Sequence, residues 1–410
     1  MSWKVKSLQD VCEKITDGTH QTPTYFPDGI VFLSSKNVTT GKIDWENIKY
    51  IDEAQHLELH KRVAPKIGDI LLAKNGTTGV AAIVDRDIVF DIYVSLAWLR
   101  PKGEITSEYL LQFINSPLAK KQFNSRLKGI GVPNLHLKEI KEVKIPIPSL
   151  SEQQAIVEKL DAAFALIDQA KANIEKNIQN AKELFQSKLN QIFSQKGEGW
   201  EERKLGEICI IKPPKKEAKE VVGVEDLVTF LPMEDLGICA KETTPNKARK
   251  LKEVSGSYTY FKEGDILLAK ITPCFENGKL SIARNLVNKI GFGSSEYVVF
   301  RTNKELLNEY LFYFLSRDTF RAEGKRKMQG AVGHKRISKE FIEDALIYLP
   351  SLHTQQEIVL QLDALSEQTK QLEAKYKTKL GNLEELRKSI LEKAFKGELV
   401  QMSESQISTD

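Results

Sequence analysis

The sequence predicts an α+β chain built twice over: two strand-rich domains, each followed by a long helix, the two helices packing as an antiparallel coiled coil with pseudo-twofold symmetry. Three observations carry this expectation. The segment Gly68-Asp69-Ile70-Leu71-Leu72-Ala73-Lys74 returns, residue for residue, as Gly264-Asp265-Ile266-Leu267-Leu268-Ala269-Lys270. Landmarks around it recur in the same order: Trp3, Leu8 and Cys12 as Trp200, Leu205 and Cys209, and Glu108-Tyr109-Leu110 as Glu309-Tyr310-Leu311. Two stretches, 151–195 and 353–396, lack proline, contain a single glycine (Gly381) and carry apolar residues in heptads. The repeat is far longer than a solenoid unit of ~20–50 residues, so each copy is a domain.

The first domain is placed at 1–148. Its strand candidates, 30–34, 69–73 and 80–84, are short, rich in Val, Ile and Leu, and mostly bounded by Gly, Asp or Asn. A helix is expected over 107–115. The first long helix, 149–196, begins after Pro148-Ser149-Leu150, where proline stops the preceding strand and serine offers a cap. The second domain, 197–350, carries strand candidates at 266–269 and 297–301 and a helix candidate at 304–316. The second long helix, 351–400, begins at Pro350-Ser351-Leu352, and a polar tail fills 401–410. In the first helix the heptads place Ile156, Ala163, Ala170 and Leu184 at one seam position and Leu160, Ile167, Ile174 and Ala181 at the other. In the second they place Ile358, Leu365, Leu372 and Leu386 opposite Leu362, Thr369, Tyr376, Leu383 and Ile390. Asn177 and Lys379 interrupt the two seams at equivalent points. Independent surface helices would also show amphipathic periods, but a shared defect favours a mutual pair whose register it fixes. At ~1.5 Å per residue each helix is ~65 Å long.

Composition narrows the class. A chain of 410 residues with 41% hydrophobic and 28% charged residues has the make-up of a folded globular protein. A net charge of +4 allows a nucleic-acid partner without demanding one. Cys12, Cys209, Cys239 and Cys274 are widely spaced and read as small apolar residues rather than disulfides or zinc ligands. No apolar run is long enough to span a bilayer and no signal peptide is visible, so no membrane partner and a cytoplasmic location are expected.

Between the shared blocks the halves diverge; residues 19–60 and 213–255 have almost nothing in common. The loops that start at the last residue of the duplicated segment, Lys74-Asn75-Gly76-Thr77-Thr78-Gly79 and Lys270-Ile271-Thr272-Pro273-Cys274-Phe275-Glu276-Asn277-Gly278-Lys279, differ in sequence but share amides, hydroxyls, glycine and lysine. Such groups read base edges and hold phosphates. A single loop of this kind is an ordinary turn; two at equivalent places, with different polar sets, suggest variable recognition. The candidates for DNA contact are Thr19, His20, Lys36, Asn37, Lys74, Asn75, Thr77, Thr78 and Asn134 in the first half. In the second they are Lys270, Thr272, Asn277, Lys279, His334, Lys335 and Arg336. Asn134 ends the glycine-containing stretch 128–134, and His334-Lys335-Arg336 ends its counterpart, 329–336. The cluster Arg317, Arg321, Lys325, Arg326 and Lys327 is a candidate for phosphate contact or a solvated helix face.

Catalytic signatures are missing. The chain has no Gly-x-x-x-x-Gly-Lys-Ser/Thr loop, no Gly-x-Gly-x-x-Gly loop and no Asn/Asp-Pro-Pro-Tyr/Phe motif. His56 and His60 have the spacing of a zinc helix, but Leu57 stands where its glutamate belongs, so they are read as surface residues and no metal site is expected.

Taken together, the twin Gly-Asp-Ile-Leu-Leu-Ala-Lys segments and the helix starts at Pro148…Gln153-Gln154 and Pro350…Gln355-Gln356 resemble the specificity subunit of Type I restriction–modification systems. So do the helix ends Glu183-Leu184…Ser187-Lys188-Leu189 and Glu385-Leu386…Ser389-Ile390-Leu391. The resemblance covers nearly the whole chain. It implies two target-recognition domains, each reading half of a bipartite site in double-stranded DNA, spaced by the two helices. It implies docking of two modification (methyltransferase) subunits and of restriction (translocase and nuclease) subunits. The helix positions Ile156, Leu160, Ile167, Ile174, Leu184, Ile358, Leu362, Leu365, Leu372, Leu383 and Ile390 are then the partner-docking candidates. It implies a non-enzymatic chain with no cofactor of its own, since S-adenosylmethionine, ATP and Mg belong to the partner subunits. The alternative is a non-catalytic coiled-coil scaffold that does not bind DNA.

Overall fold

In a computed structural model, which describes residues 3–125, 134–331 and 333–399, the chain divides into two units. The first comprises residues 1–174 and 377–410, the second residues 175–376. Each unit therefore holds one strand-rich domain, the start of the helix that follows it, and the end of the other long helix.

The duplicated segment explains the centre of each unit. Gly68 and Gly264 take left-handed φ values of 87° and 90°, which cost a residue without Cβ little. The next residue closes the turn: the Asp69 carboxylate accepts from the Lys66 amide at 2.7 Å and that of Asp265 from the Lys262 amide at 2.8 Å. Four apolar residues follow, Ile70–Ala73 and Ile266–Ala269, every one buried. A strand covered on one face would alternate with polar residues; these do not, because both faces are covered. Ile70 and Leu72 face the helices of the first unit, while Leu71 and Ala73 face Phe90, Trp98 and Val63. Ile266 and Leu268, against Leu267 and Ala269, divide the second unit in the same way. Full burial of each of these Ile and Leu side chains contributes about 1.5–3 kcal/mol.

In the first unit this strand lies in an antiparallel sheet ordered Cys12–Asp17, Leu96–Pro101, Ile70–Ala73, Ala81–Ile83. A second sheet places Ile30–Leu33 between Lys49–Ile51, antiparallel, and Phe90–Ile92, parallel. In the second unit the corresponding sheets have five and four strands, each enlarged by one edge strand, Ala240–Glu242 and Thr259–Lys262 respectively. The expected helix over 304–316 is shorter, Asn308–Leu315. Asn303 Oδ1 accepts from the Glu305 amide, and the Leu307 amide is held by Gln355, so residues 304–307 form a turn.

The long helices run Leu150–Ser194 and Leu352–Phe395. Ser149 caps the first through a box in which its hydroxyl accepts from the Glu152 amide and the Glu152 carboxylate accepts from its own amide. Ser351 Oγ likewise accepts from the Thr354 amide. Gln153 and Gln355, both fully buried, then lock helix to domain. Gln153 Nε2 donates to the Glu104 and Pro148 carbonyls at 2.9 and 3.1 Å, and its oxygen accepts from the Thr106 amide at 2.9 Å. Gln355 repeats this with the Glu305 and Pro350 carbonyls and the Leu307 amide. At the far ends Phe395 packs on Tyr109 and Phe113 in the first unit, and Phe193 on Tyr310 and Phe314 in the second.

The helices pack together antiparallel. In the first unit Asp168 meets Arg387 at 2.9 Å while Lys171 meets Glu384; in the second, Lys182 meets Glu373 at 3.8 Å. The expected seam is only half realised. Ile156, Leu160, Ile167, Ile358 and Leu362 are buried inside their own units, and Ile174, Leu365, Leu383 and Ile390 are half-buried. Leu184, Leu372 and Leu386 are exposed, as are Asn177 and Lys379. The seam fails there because the helix ends turn Phe193 and Phe395, with Leu189 and Leu391, toward the globular cores instead.

Candidate functional site

In both units the polar loop after the duplicated strand meets the late loop of the same unit. Leu135 N donates to Lys74 O at 3.0 Å, and Asn75 pairs with Asn134 as an isolated bridge. Ile337 N donates to Lys270 O at 3.0 Å, and Ile271 pairs with Arg336. Segments distant in sequence thus form one composite surface on the duplicated frame. Of the late loops, residues 128–133 and Val332 lie outside the described residues, as does the tail 401–410.

Several predicted contact residues prove to be internal supports. Lys74 is buried and its ammonium pairs with Asp17, which also receives Arg62 Nη2 at 2.7 Å and His20 Nε2 at 3.3 Å. Burial alone pushes the Asp17 carboxyl up, but the hydrogen bonds and charges of Lys74 and His20 outweigh it and hold it below its usual range. An ammonium so placed holds the Asp17–His20 loop against the strand rather than reaching a phosphate. Asn37 is buried; its carbonyl accepts from the Ser34 amide and its amide donates to the Asp44 and Asn47 carbonyls. Lys279 is consumed by the carbonyls of Met233, Glu234 and Leu236, at 2.6, 3.1 and 3.0 Å.

Others are partly engaged. Lys270 Nζ donates to Ser295 O at 3.1 Å, and Arg336, though exposed, forks onto Glu296 with two bonds of 2.9 Å. Arg336 is the leading cause holding the Glu296 carboxyl below its usual range. Thr19 Oγ1 donates to Gln21 O, and Thr78 is half-buried against the turn at Gly76. Thr272 is half-buried, its amide donating to Lys335 O at 2.9 Å. Asn75 and Asn134 are half-buried, each with a buried side-chain oxygen that has no donor among the described residues. Standing out into solvent are His20, Lys36 and Thr77 in the first unit and Asn277, His334 and Lys335 in the second.

The basic cluster divides in the same way. Arg317 lies over Phe314 at 4.1 Å, and burial pushes its guanidinium down to about 10, outweighing Tyr310, Glu323 and Asp318. Arg321 is turned onto Ser316 O and Cys239; Lys325 pairs with Glu276 and Lys327 with Glu323. Arg326 alone of the five is exposed with no ion pair among the described residues.

Sequence reasoning passed over the acids that organise these surfaces. Asp69 binds Arg100 through two bonds of 3.0 and 2.8 Å and receives Trp98 Nε1 at 2.7 Å; Asp265 binds Arg301 through two bonds of 2.8 Å. The signal was present, since both acids stand inside the duplicated segment and Arg100 and Arg301 occupy equivalent places after it. His56 and His60 are not plain surface residues either: both half-buried rings face the buried Asp91. A cavity of about 1300 Å³ in the first unit lies apart from the loops, beside the Pro117–Asn124 helix. Its lining mixes Lys42, Lys120, Lys121, Lys171, Arg387 and Lys388 with Asp85, Asp161, Asp168 and Glu384.

Comparison with known proteins adds the family. A model of the Type I restriction modification DNA specificity domain matches residues 1–180 and again 197–382. The EcoKI specificity subunit, from a type I restriction enzyme of Escherichia coli K12, is 24% identical over 417 residues, covering 96% of this chain and 88% of that one. The EcoAI specificity subunit of Escherichia coli is 33% identical over 195 residues, 47% of this chain; the match spans 32% of that relative's length. A chain from a structure of complex assembly and conformational transition in a type I R-M system superposes with TM-score 0.71 at 22% identity, covering 97% of this chain and 98% of that one. The HsdS subunit from Thermoanaerobacter tengcongensis gives 0.57 at 23%, covering 97% of each. At these identities the two structures show a shared fold. No helix among the described residues is long and apolar enough to cross a membrane.

Proposed function

Because this chain belongs to the Type I restriction modification DNA specificity family, we propose that it reads a bipartite site in double-stranded DNA, one half-site per unit, and brings partner subunits to that site. The observation carrying this reading is the pair of composite loops, built on identical strands but presenting different exposed side chains among the described residues: Thr77 in one unit, and Pro273, Asn277, Gln329, His334, Lys335 and Arg336 in the other. A conserved function on a shared ligand would keep the loops alike; reading two different sequences requires them to differ.

The chain acts without chemistry of its own. Its relatives are named specificity subunits, and methyl transfer and ATP-driven steps fall to the partners, which carry S-adenosylmethionine, ATP and Mg. The partners are two modification subunits, with restriction subunits added, working in the cytoplasm. Docking moves from the buried heptad positions to what the helices leave outside: Leu166 and Leu386 in the first unit, Leu184, Leu360 and Leu372 in the second, all exposed. Exposed leucines along a helix are what a partner helix or groove would cover.

The deciding experiment exchanges residues 1–148 for the equivalent domain of a relative and maps methylation in cells supplying the modification subunits. One half of the methylated sequence should change and the other should stay. If both change, or neither, independent readers is the wrong description. A scaffold that does not bind DNA would leave methylation identical with and without the chain.

A further inference from the structure

We propose that the first unit contains a divalent transition-metal site, formed by His56, His60 and Asp91, with zinc as its fitting occupant. The three side chains come from two elements. His56 lies on the Glu53–Leu59 helix and His60 caps its end, with its amide donating to His56 O at 2.9 Å. That single turn sets residues four apart on one face, so the two imidazoles stand together, ring centres 4.7 Å apart. Asp91 is the middle residue of the Phe90–Ile92 strand, and its carboxylate is almost fully buried.

The geometry points at one spot. His56 Nδ1 is 2.7 Å from Asp91 Oδ2 and His60 Nδ1 is 3.2 Å from Oδ1. The three candidate ligand atoms lie within 4.8 Å of one another. A tetrahedral zinc with bonds of ~2.0–2.2 Å wants ligand atoms about 3.4 Å apart. Modest outward turns of the two rings, whose side chains are 15% and 32% exposed, reach that spacing. Each neutral imidazole keeps its proton on Nε2 and lends its Nδ1 lone pair; Asp91 contributes a carboxylate oxygen, so binding needs no proton from a neutral ring. Two nitrogens and one oxygen suit zinc or its neighbours in the first transition row, and not calcium or magnesium, which take oxygen shells.

Asp91 also borders a cavity of about 270 Å³ lined by Gly18, Thr19, His20, Glu58 and Arg62, while neither imidazole lines it; the cavity reaches the site from the carboxylate side. A water would complete the tetrahedron around the ion. Both histidines lie in the divergent stretch 19–60 of the first domain, and Asp91 on the strand that follows it. Among the described residues the second unit has no such cluster. Occupied, it would clamp the Glu53–Leu59 helix to the smaller sheet beside Thr19 and His20, fixing one wall of the first reader's loop surface without taking part in any reaction.

The competing arrangement has both imidazoles simply donating Nδ1–H to Asp91, with no ion. Metal binding by the full chain separates the two. Metal-free protein, prepared with a chelator, is dialysed against zinc chloride and its zinc measured; cobalt chloride is titrated in parallel and the visible d–d bands of a tetrahedral centre recorded. The expected result is one zinc per chain and, in the parallel titration, one cobalt per chain showing those bands, which zinc then abolishes. Loss of a ligand in His56→Ala or His60→Ala should weaken binding at least as much as loss of an outer-shell partner, ~10–100-fold. His20→Ala and His353→Ala should bind as the parent does. Far-UV circular dichroism confirms that each variant is folded. The proposal is overturned if the parent holds no stoichiometric zinc, or if it holds zinc that His56→Ala and His60→Ala retain with equal affinity. Because the readout is metal content, it stands apart from whether the chain binds DNA.

Discussion

Replacing Gln153 by alanine should loosen the first unit far more than a polar-to-alanine change on a helix ordinarily does. The side chain has no exposed surface and makes three hydrogen bonds, two from its amide nitrogen and one to its oxygen. At ~1 kcal/mol net per bond, the loss is about 3 kcal/mol. In a unit of roughly 200 residues that corresponds to a fall in Tm of about 6–12 °C. Trp3, Trp45 and Trp98 lie in the first unit and Trp200 in the second, so tryptophan fluorescence in a Trp200→Phe background follows the first unit alone. Urea unfolding in that background gives the stability difference. Gln154 is the control: exposed, bonded only to Glu158 at 3.2 Å, its alanine variant should stay within ~0.5 kcal/mol of the parent. If Gln153→Ala also falls within that margin, or Gln154→Ala costs as much, the glutamine pair is not the lock between domain and helix.

Other outcomes follow from the same geometry. Lys74→Met should destabilise the first unit, by less than the ~3–5 kcal/mol of a wholly unpaired buried charge, because Asp17 loses its buried ammonium and keeps only the exposed Arg62 and His20. The Asp17 carboxyl is depressed below its ordinary value of 3.8, so the stability it supplies is fully present above that pH and is lost as pH falls through the lower folded value. Urea midpoints followed from about pH 5 down to about 2 should show a steeper acid-side loss in the parent than in Lys74→Met; equal slopes would contradict it. Lys335→Ala, at an exposed side chain, should leave stability unchanged and lower the salt slope of DNA binding by about 1, measured with the partner subunits present. An unchanged slope removes Lys335 from the phosphate contacts. Inserting seven residues into each long helix, near 174 and 376, adds ~10.5 Å. At ~3.4 Å per base pair, the gap between half-sites should grow by about three base pairs, read by methylation mapping; a constant gap means that the helices do not set it.

The frame was legible because its physics is local or repeated. A four-residue apolar strand entered through Gly-Asp can be read from the letters, and its duplication marks it as shared structure. The Ser149 and Ser351 caps and the long proline-free stretches are equally local signals. The heptad seam was less legible, because periodicity cannot tell a helix partner from a domain core. Phe164, Phe193 and Phe395 sit off the expected seam, yet they are buried, while Leu184 and Leu386 sit on it and are exposed. What decides is the position of Tyr109, Phe113, Tyr310 and Phe314, residues far away in sequence.

The candidate interface was readable at the level of segments and not of side chains, and the lysines show why. Lys74, Lys279 and Lys335 look alike in sequence, each in a polar glycine-containing loop. Lys74 finds a buried carboxylate from a strand 57 residues earlier; Lys279 finds three carbonyls of the Met233–Asp235 turn and its end; Lys335 finds none of these and stands in solvent. An ammonium is drawn to whatever unsatisfied oxygen the tertiary fold leaves within reach, and no local pattern encodes where that oxygen is. The same reasoning recovers Asp17, Asp69 and Asp265 as the organisers of the loops. A buried acid must be matched by a cation, so each acid claims one, and the cations left unclaimed are the ones free to meet a phosphate. On that criterion the reading surface is defined by subtraction: among the candidates Lys36, Arg326 and Lys335 remain, while Lys74, Lys279, Arg317 and Arg321 are spent on holding the frame.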